Sequence, residues 1–214
     1  EGTIVLQTAN GGPIYAVNAS GENLRYLTTG MDPALSPDGQ SVAFTRWDDT
    51  QHGAFGSLWL INVDGTGERL ILEDVHQPKS PVWSPDGTQV AFASNRDGYW
   101  DLYILTLESG EITRVTNSQE YESAPSWSPD GNWIVFCSNT NGDYDIYKAR
   151  IDGPDLIQLT FHQAEDIDPV WSPDGSRILF RSERDGQYSD LYLMDADLGE
   201  ENIQRLTEND AYEG

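Results

Sequence analysis

The sequence is poor in cysteine and contains no long apolar run. Cys137 is the single cysteine among 214 residues, which excludes an internal disulfide framework and a thiolate metal cluster. It stands in the apolar run WIVFCS, and this setting predicts a buried, inert thiol rather than a reactive one. No run approaches the roughly 18 apolar residues that a membrane-spanning helix requires, so membrane insertion is not expected.

Basic residues are also scarce. The chain has 12 Lys and Arg against 36 Asp and Glu, a formal net charge of -24. Such a chain repels phosphate backbones and anionic lipid surfaces, so nucleic acid is excluded as an expected partner. The hydrophobic fraction of 37% is ordinary for a soluble globular protein. Because the chain begins at Glu1 rather than Met, we expect a processed product or an excised piece.

Signatures of catalysis are missing as well. The chain has only three histidines, no Gly-x-Ser-x-Gly and no His-Glu-x-x-His. Adjacent carboxylates are common, but composition alone accounts for them in so acidic a chain, and no glycosidase pair stands out. The sequence therefore favours a protein that is not an enzyme.

What the sequence does contain is a repeat. Ser-Pro-Asp-Gly begins at Ser36, Ser84, Ser128 and Ser172, with spacings of 48, 44 and 44 residues, a period typical of propellers. Each copy is followed by a short β-rich run, a turn rich in Gly, Asn and Asp, a second run such as DLYILTL and a third such as ITRVT. With the Pro-x-Trp-Ser segment before the turn, each unit has four strands.

No segment has sustained helical periodicity, and Gly, Pro, Asn and Asp interrupt the chain about every ten residues. We therefore predict an all-β fold, a single β-propeller domain over 1–214 with five four-stranded blades. The first blade lacks its innermost strand, since the chain enters the pattern at EGTIVLQT. The predicted repeat units are 1–35, 36–83, 84–127, 128–171 and 172–214.

Residue types that recur in every unit are interpreted as structural. In Ser-Pro-Asp-Gly, Pro presets φ, Asp bonds nearby amides and Gly accepts a positive φ, so the segment predicts a hairpin turn. A tryptophan precedes three of the copies and is expected to pack between neighbouring blades, with a sugar-stacking platform as the alternative. These tryptophans are Trp83, Trp127 and Trp171. Asp101, Asp145 and Asp190 are expected to accept bonds from amides of the preceding turn.

Residues that differ between units are the better functional candidates. In a propeller the second-to-third turns and the blade-to-blade loops share one face, and here those segments vary in length and composition. The predicted ligand- or partner-binding residues on that face are Trp47, His52, Phe55, His76, Lys79, Tyr99, Tyr121, Glu122, Tyr144, His162 and Tyr188. An ordinary solvated rim accounts for the same residues.

Oxygen ligands are plentiful and thiols are missing, so the sequence favours calcium over any transition metal. The carboxylates proposed for it are Asp32, Asp166 and Asp168, although no Asp-x-Asp-x-Asp-Gly loop accompanies them. No other cofactor is expected.

The repeated pattern Pro-x-Trp-Ser-Pro-Asp-Gly, a β run, Asp-Gly, Ile/Leu-Tyr and Leu-Thr resembles the TolB-type propeller repeat of bacterial extracytoplasmic proteins. Related blades occur in the propeller domains of prolyl oligopeptidases and tricorn-like proteases. The resemblance covers essentially the whole chain and implies the propeller fold and a periplasmic or extracellular location. Since this fold hosts many activities, function must come from the site.

The favoured interpretation is a non-catalytic binding or protein-interaction scaffold that binds a protein, a peptide or a small polar ligand. Two alternatives stay open. The first is the substrate-gating propeller domain of a larger hydrolase, such as a peptidase. The second is a calcium-dependent lyase or hydrolase that uses the channel mouth.

Overall fold

The computed structural model describes residues 2–48, 55–186 and 188–208. Within these ranges there is no helix, and nineteen strands form five antiparallel sheets. The chain divides into two compact units, Glu1–Arg114 and Val115–Gly214.

The first unit contains three sheets. Their strands are β1 (Thr3–Gln7), β2 (Pro13–Asn18), β3 (Arg25–Thr29), β4 (Met31–Leu35), β5 (Ser41–Asp48), β6 (Phe55–Asn62), β7 (Arg69–His76), β8 (Lys79–Trp83), β9 (Gln89–Ser94), β10 (Asp101–Thr106) and β11 (Ile112–Arg114). The second unit contains two sheets. Their strands are β12 (Glu122–Trp127), β13 (Trp133–Ser138), β14 (Asp145–Arg150), β15 (Leu156–Gln158), β16 (Asp166–Trp171), β17 (Arg177–Ser182), β18 (Asp190–Asp195) and β19 (Gly199–Arg205).

Strands that follow one another in the chain are neighbours in each sheet. The sheets are β1–β3, β4–β7, β8–β11, β12–β15 and β16–β19, so four have four strands and the first has three. This confirms the all-β prediction of five propeller blades and the missing innermost strand of the first. Each four-stranded sheet begins one strand before its Ser-Pro-Asp-Gly copy.

The Ser-Pro-Asp-Gly turns form the same hydrogen bonds in every copy. In the third sheet the Ser84 hydroxyl donates to the Asp86 carboxylate at 2.6 Å and accepts from the Gln89 N–H at 3.0 Å. The same carboxylate accepts from the Thr88 N–H at 3.0 Å, and Gly87 has a φ of 72°. The turns are therefore structural, as predicted. We call the end of each sheet that carries them the SPDG end, and the opposite end the loop end.

At the loop end, every innermost strand has the same backbone irregularity. The residue before its proline has a positive φ: 52° at Asp32, 49° at Ser80, 52° at Ala124 and 54° at Asp168. The pairing register shifts at each of these places. A bulge bends the strand and re-aims its side chains. The repeat thus builds one bulge per blade, which the sequence reasoning did not anticipate.

Several predicted loops are shorter than expected. The segment 73–80, interpreted as a blade-to-blade loop, supplies the end of β7 and the start of β8. Glu122, Asp166 and Asp168 likewise lie in the innermost strands β12 and β16 instead of in loops. Strand pairing extends to the loop end and fixes these residues on a sheet.

The core lies along the second and third strands of the sheets. Stacked Phe–Tyr pairs recur there, with ring centroids 5.7 to 6.0 Å apart, at Phe92–Tyr103, Phe136–Tyr147 and Phe180–Tyr192. Cys137 is buried in the core of the second unit, and burial raises the pKa of its thiol. This confirms the predicted buried thiol.

The recurring aspartates form side-chain hydrogen bonds that the sequence analysis did not predict. Asp101, Asp145 and Asp190 are buried, and side chains of the fourth strand bond to them. Arg114 donates to Asp101, Gln158 donates to Asp145 at 2.9 Å, and Arg205 donates to Asp190 at 2.6 Å. Each carboxylate therefore ties its third strand to its fourth.

Candidate functional site

At the loop end of the first unit, a lysine lies against two tryptophans. The Lys79 ammonium is 4.2 Å from the centre of the Trp100 ring and 5.4 Å from that of Trp47. Both distances fall within the range of cation–π attraction. The Trp47 indole N–H donates to the Pro78 carbonyl at 3.0 Å and so fixes its ring.

Three strands bring these side chains together. Trp47 lies near the end of β5, Lys79 opens β8, and Trp100 directly precedes β10. Asp32 belongs to the same neighbourhood, since its carboxylate accepts from the Ser80 N–H at 3.1 Å. We call Asp32, Trp47, Lys79 and Trp100 the Lys79 cluster.

Two opposing effects act on the pKa of Lys79. Burial lowers the pKa of Lys79, and the charge of Asp32 opposes that shift. A half-buried ammonium framed by aromatic faces offers an incoming ligand a cation, two flat apolar surfaces and a nearby carboxylate. That combination suits recognition of polar groups and does not by itself constitute a catalytic set.

Of the predicted binding residues, Trp47 and Lys79 lie together in this cluster. Asp32, which was predicted to be a calcium ligand, lies with them. Trp100 was missed. It occupies the place in its repeat that Tyr144 occupies in the next, one residue before the recurring aspartate. Since Tyr144 was selected, comparison of the copies position by position could have found Trp100.

At the loop end of the second unit, Tyr121 and Tyr144 meet edge to face, with ring centroids 6.1 Å apart. The Tyr121 N–H donates to the Asn139 side chain at 2.8 Å, and burial raises the pKa of both phenols. Glu122 is buried and accepts a hydrogen bond from the Thr116 hydroxyl. These residues form a polar and aromatic patch in which Glu122 is directed inward.

The other predicted residues are more scattered. His76 ends β7 and is exposed, and its carbonyl accepts from the Ser94 hydroxyl at 2.7 Å. The exposed His162 ring accepts from the Ala164 N–H at 3.0 Å. Tyr99 is 45% exposed and Tyr188 is half-buried. Phe55 begins β6. His52 lies outside the described residues.

The carboxylates proposed for calcium have other partners. Asp166 is buried and pairs with Arg184 at 2.7 Å, and Asp168 pairs with Arg181 at 3.3 Å. Across residues 2–48, 55–186 and 188–208, no three His, Cys, Asp or Glu side chains form a group that could hold a metal ion. The arrangement of these residues therefore does not support the calcium expectation.

No helix in the described ranges is long and apolar enough to span a membrane. The architecture of antiparallel sheets, each built from consecutive strands, defines the chain as a β-propeller protein. Residues 57–214 match the TolB beta propeller domain family, and the chain belongs to that family.

Curated relatives match over shorter stretches. Tricorn protease homolog 1 of Streptomyces coelicolor is 36% identical over 81 residues, which is 38% of this chain and 7% of the relative. The Tol-Pal system protein TolB of Alkalilimnicola ehrlichii is 32% identical over 79 residues, 37% of this chain and 18% of the relative. The matched segments thus span less than a fifth of either relative.

Solved structures agree over nearly the whole chain. The putative TolB from Agrobacterium tumefaciens superposes with a TM-score of 0.79 at 27% identity, over 95% of this chain and 76% of that one. A puromycin hydrolase superposes with a TM-score of 0.70 at 19% identity, over 90% of this chain and 32% of that one. At that lower identity the second similarity concerns the fold alone.

Proposed function

We propose that this propeller is a non-catalytic binding module that recognises a protein or peptide partner through the loop ends of its sheets. The observation that carries the proposal is the Lys79 cluster. There a lysine lies against two tryptophan rings, and no other copy of the repeat has a lysine at this position. The net charge of -24 favours partners other than nucleic acid.

The rest of the loop end supports the same proposal. The bulges in β4, β8, β12 and β16 hold that end in one backbone shape, while its side chains differ from blade to blade. Variable side chains on a rigid frame are the usual arrangement of binding surfaces. The relative TolB is by name a protein of the Tol-Pal system, which is consistent with a scaffold role. An extracytoplasmic location belongs to this proposal.

Site-specific photocrosslinking in the producing cells tests the proposal. A photoreactive phenylalanine analogue replaces exposed Tyr99, beside the Lys79 cluster, and in a matched control it replaces exposed Gln40 at the SPDG end of the same unit. We expect discrete adducts from position 99 that Lys79→Met abolishes, and none from position 40. Adducts from position 40 alone, or adducts indifferent to Lys79→Met, would contradict the proposal.

A second candidate function is the substrate-gating propeller of a peptidase. It is favoured by the 36% identity to Tricorn protease homolog 1. The complete gene decides it, since an adjoining hydrolase segment with a Gly-x-Ser-x-Gly elbow supplies the nucleophile that the propeller lacks. We then expect the full-length protein to cleave aminoacyl nitroanilides. Absence of that segment and of hydrolysis would reject this candidate and leave the binding module.

A further inference from the structure

Each unit has a groove at the SPDG end, between two neighbouring sheets. Groove 1, in the first unit, has about 490 Å³ and is lined by Ser41, Leu60 and Trp83 among others. Groove 2, in the second unit, has about 470 Å³ and is lined by Trp133, Lys148 and Trp171 among others. Both volumes fall within the roughly 300–1,000 Å³ of small-molecule sites.

The grooves occupy the same place in the repeat, and at two lining positions one type of side chain replaces another. Ser41 faces Asn62 across its strand pair as Trp133 faces Arg150, so Trp133 replaces Ser41. By the same register Lys148 replaces Leu60, because Ala43 pairs with Leu60 and Val135 pairs with Lys148. The other two copies have Ile104 and Leu193 at this position. Groove 2 alone therefore places a charge where the repeat is apolar.

The Lys148 side chain is only 7% exposed. Its ammonium donates to the Ala196 carbonyl at 2.7 Å, pairs with Asp197 at 3.4 Å and lies 5.1 Å from the centre of the Trp133 ring. The Arg150 guanidinium lies over the same ring at 5.8 Å. Burial of a charged group is unfavourable unless it is paired, so these contacts hold the lysine in a defined position.

The equivalent tryptophans of the two grooves, Trp83 and Trp171, also differ in the hydrogen bonding of their indole N–H groups. In groove 1 the Trp83 indole N–H donates to the Ala34 carbonyl at 3.0 Å. In groove 2 the Trp171 indole nitrogen is buried, and no residue in the described part of the chain accepts its hydrogen bond. A buried donor without a partner is costly. Since Trp171 lines groove 2, a turn of its ring on ligand binding would bring this N–H to an oxygen atom of the ligand.

The charges around groove 2 restrict the ligand. Asp130, Asp174 and Asp197 line it and repel anions. Lys148 and Arg150, both within 6 Å of the Trp133 ring centre, repel a cation at that ring. A neutral ligand with hydroxyl groups fits both constraints, because a hydroxyl donates to a carboxylate and accepts from an indole N–H.

We infer that groove 2 is a binding site for a neutral saccharide. The sugar presents the C–H face of its ring to tryptophan and its hydroxyls to Asp174, Asp197 and the Trp171 N–H. This inference does not depend on the proposed function, since none of its residues belongs to the Lys79 cluster.

The test is a titration of the folded chain with cellobiose, maltose and lactose, followed by tryptophan fluorescence and by saturation-transfer NMR. We expect at least one of these sugars to bind with a millimolar Kd. The double variant Trp133→Ser/Lys148→Leu, which gives groove 2 the residues of groove 1 at these two positions, should weaken binding at least about tenfold. Trp171→Phe, which removes only the unpartnered donor and some ring area, should weaken it severalfold.

Trp83→Phe is the matched control and should leave sugar binding unchanged. Near-ultraviolet circular dichroism checks that each variant is folded, and Trp171→Phe decides the test alone if the double variant does not fold. The inference is overturned if none of the three sugars binds. It is overturned equally if binding persists at full strength in the folded variants of groove 2.

Discussion

The two ends of each sheet differ in how much their side chains vary from blade to blade. At the SPDG end the four turns repeat the same hydrogen bonds between serine, aspartate and backbone, as at Ser36 and Ser172. At the loop end the backbone bulge is repeated but the side chains are not, and they range from the Lys79 cluster to the Asp166–Arg184 pair. Uniform turns therefore fix the blades, while a uniform bulge presents side chains that are free to differ.

The largest effect should come from a buried charge at the loop end. Arg184 is 9% exposed and bonds to Asp166, which is fully buried, and to Glu200 at 3.1 Å. Arg184→Met leaves the Asp166 carboxylate without this partner, so we expect a loss of about 3–5 kcal/mol in the free energy of unfolding. Urea denaturation measures it.

Arg181→Met is the matched control in the same sheet. The Arg181–Asp168 pair is exposed, at 45% and 62%, so its loss should cost less than about 1 kcal/mol. Similar costs for the two variants would show that burial at the loop end does not set the strength of these pairs.

A second effect concerns pH. Burial raises the pKa of Asp145 to about 6, against the opposing hydrogen bond from Thr160. Since the folded-state pKa lies above the unfolded value of 3.8, this carboxyl contributes stability that is present below about pH 4 and is lost as pH rises through about 6. Relative to Asp145→Asn, the protein should therefore lose about 1–3 kcal/mol between pH 4 and 7, measured by urea denaturation.

The other copies supply the control for Asp145. Asp101 and Asp190 face arginines, Arg114 and Arg205, whereas Asp145 faces the neutral Gln158. Gln158→Arg gives this blade the arrangement of its neighbours and should flatten the pH dependence. A pH profile that Gln158→Arg leaves unchanged would assign the titration to another group.

The uniformity of the SPDG end can be measured directly. Ser36, Ser84 and Ser128 are buried and make equivalent bonds, so replacement of each by Ala should cost about 1–2 kcal/mol, with the three values alike. Ser172 is more exposed, and its replacement should cost less. Urea denaturation of the four variants gives the comparison, and a spread among the three buried sites larger than their mean would contradict it.

These regions also differ in how far the sequence predicts them. A turn such as Ser-Pro-Asp-Gly is encoded within a few residues, so its bonds and the period of the blades follow from local chemistry. The partner of Asp101 lies on another strand, and the Lys79 cluster joins three strands, so both depend on strand register. Lys148 is visible in DIYKARI as a charge between Tyr147 and Ala149, but only alignment of the copies shows that it replaces leucine or isoleucine.

The smallest expected effect concerns a difference between blades at the SPDG end, namely the hydrogen bonding of Trp83 and Trp171. Trp83→Phe and Trp171→Phe remove the same atoms from equivalent positions, so the loss of ring area largely cancels between them. Trp83→Phe also deprives the Ala34 carbonyl of its 3.0 Å hydrogen bond, whereas Trp171→Phe removes a buried donor that no described residue accepts. Trp83→Phe should therefore cost about 0.5–1.5 kcal/mol more than Trp171→Phe, as measured by urea denaturation. An equal or greater cost at Trp171 would show that its N–H is already bonded, and would make groove 2 a copy of groove 1 in this respect.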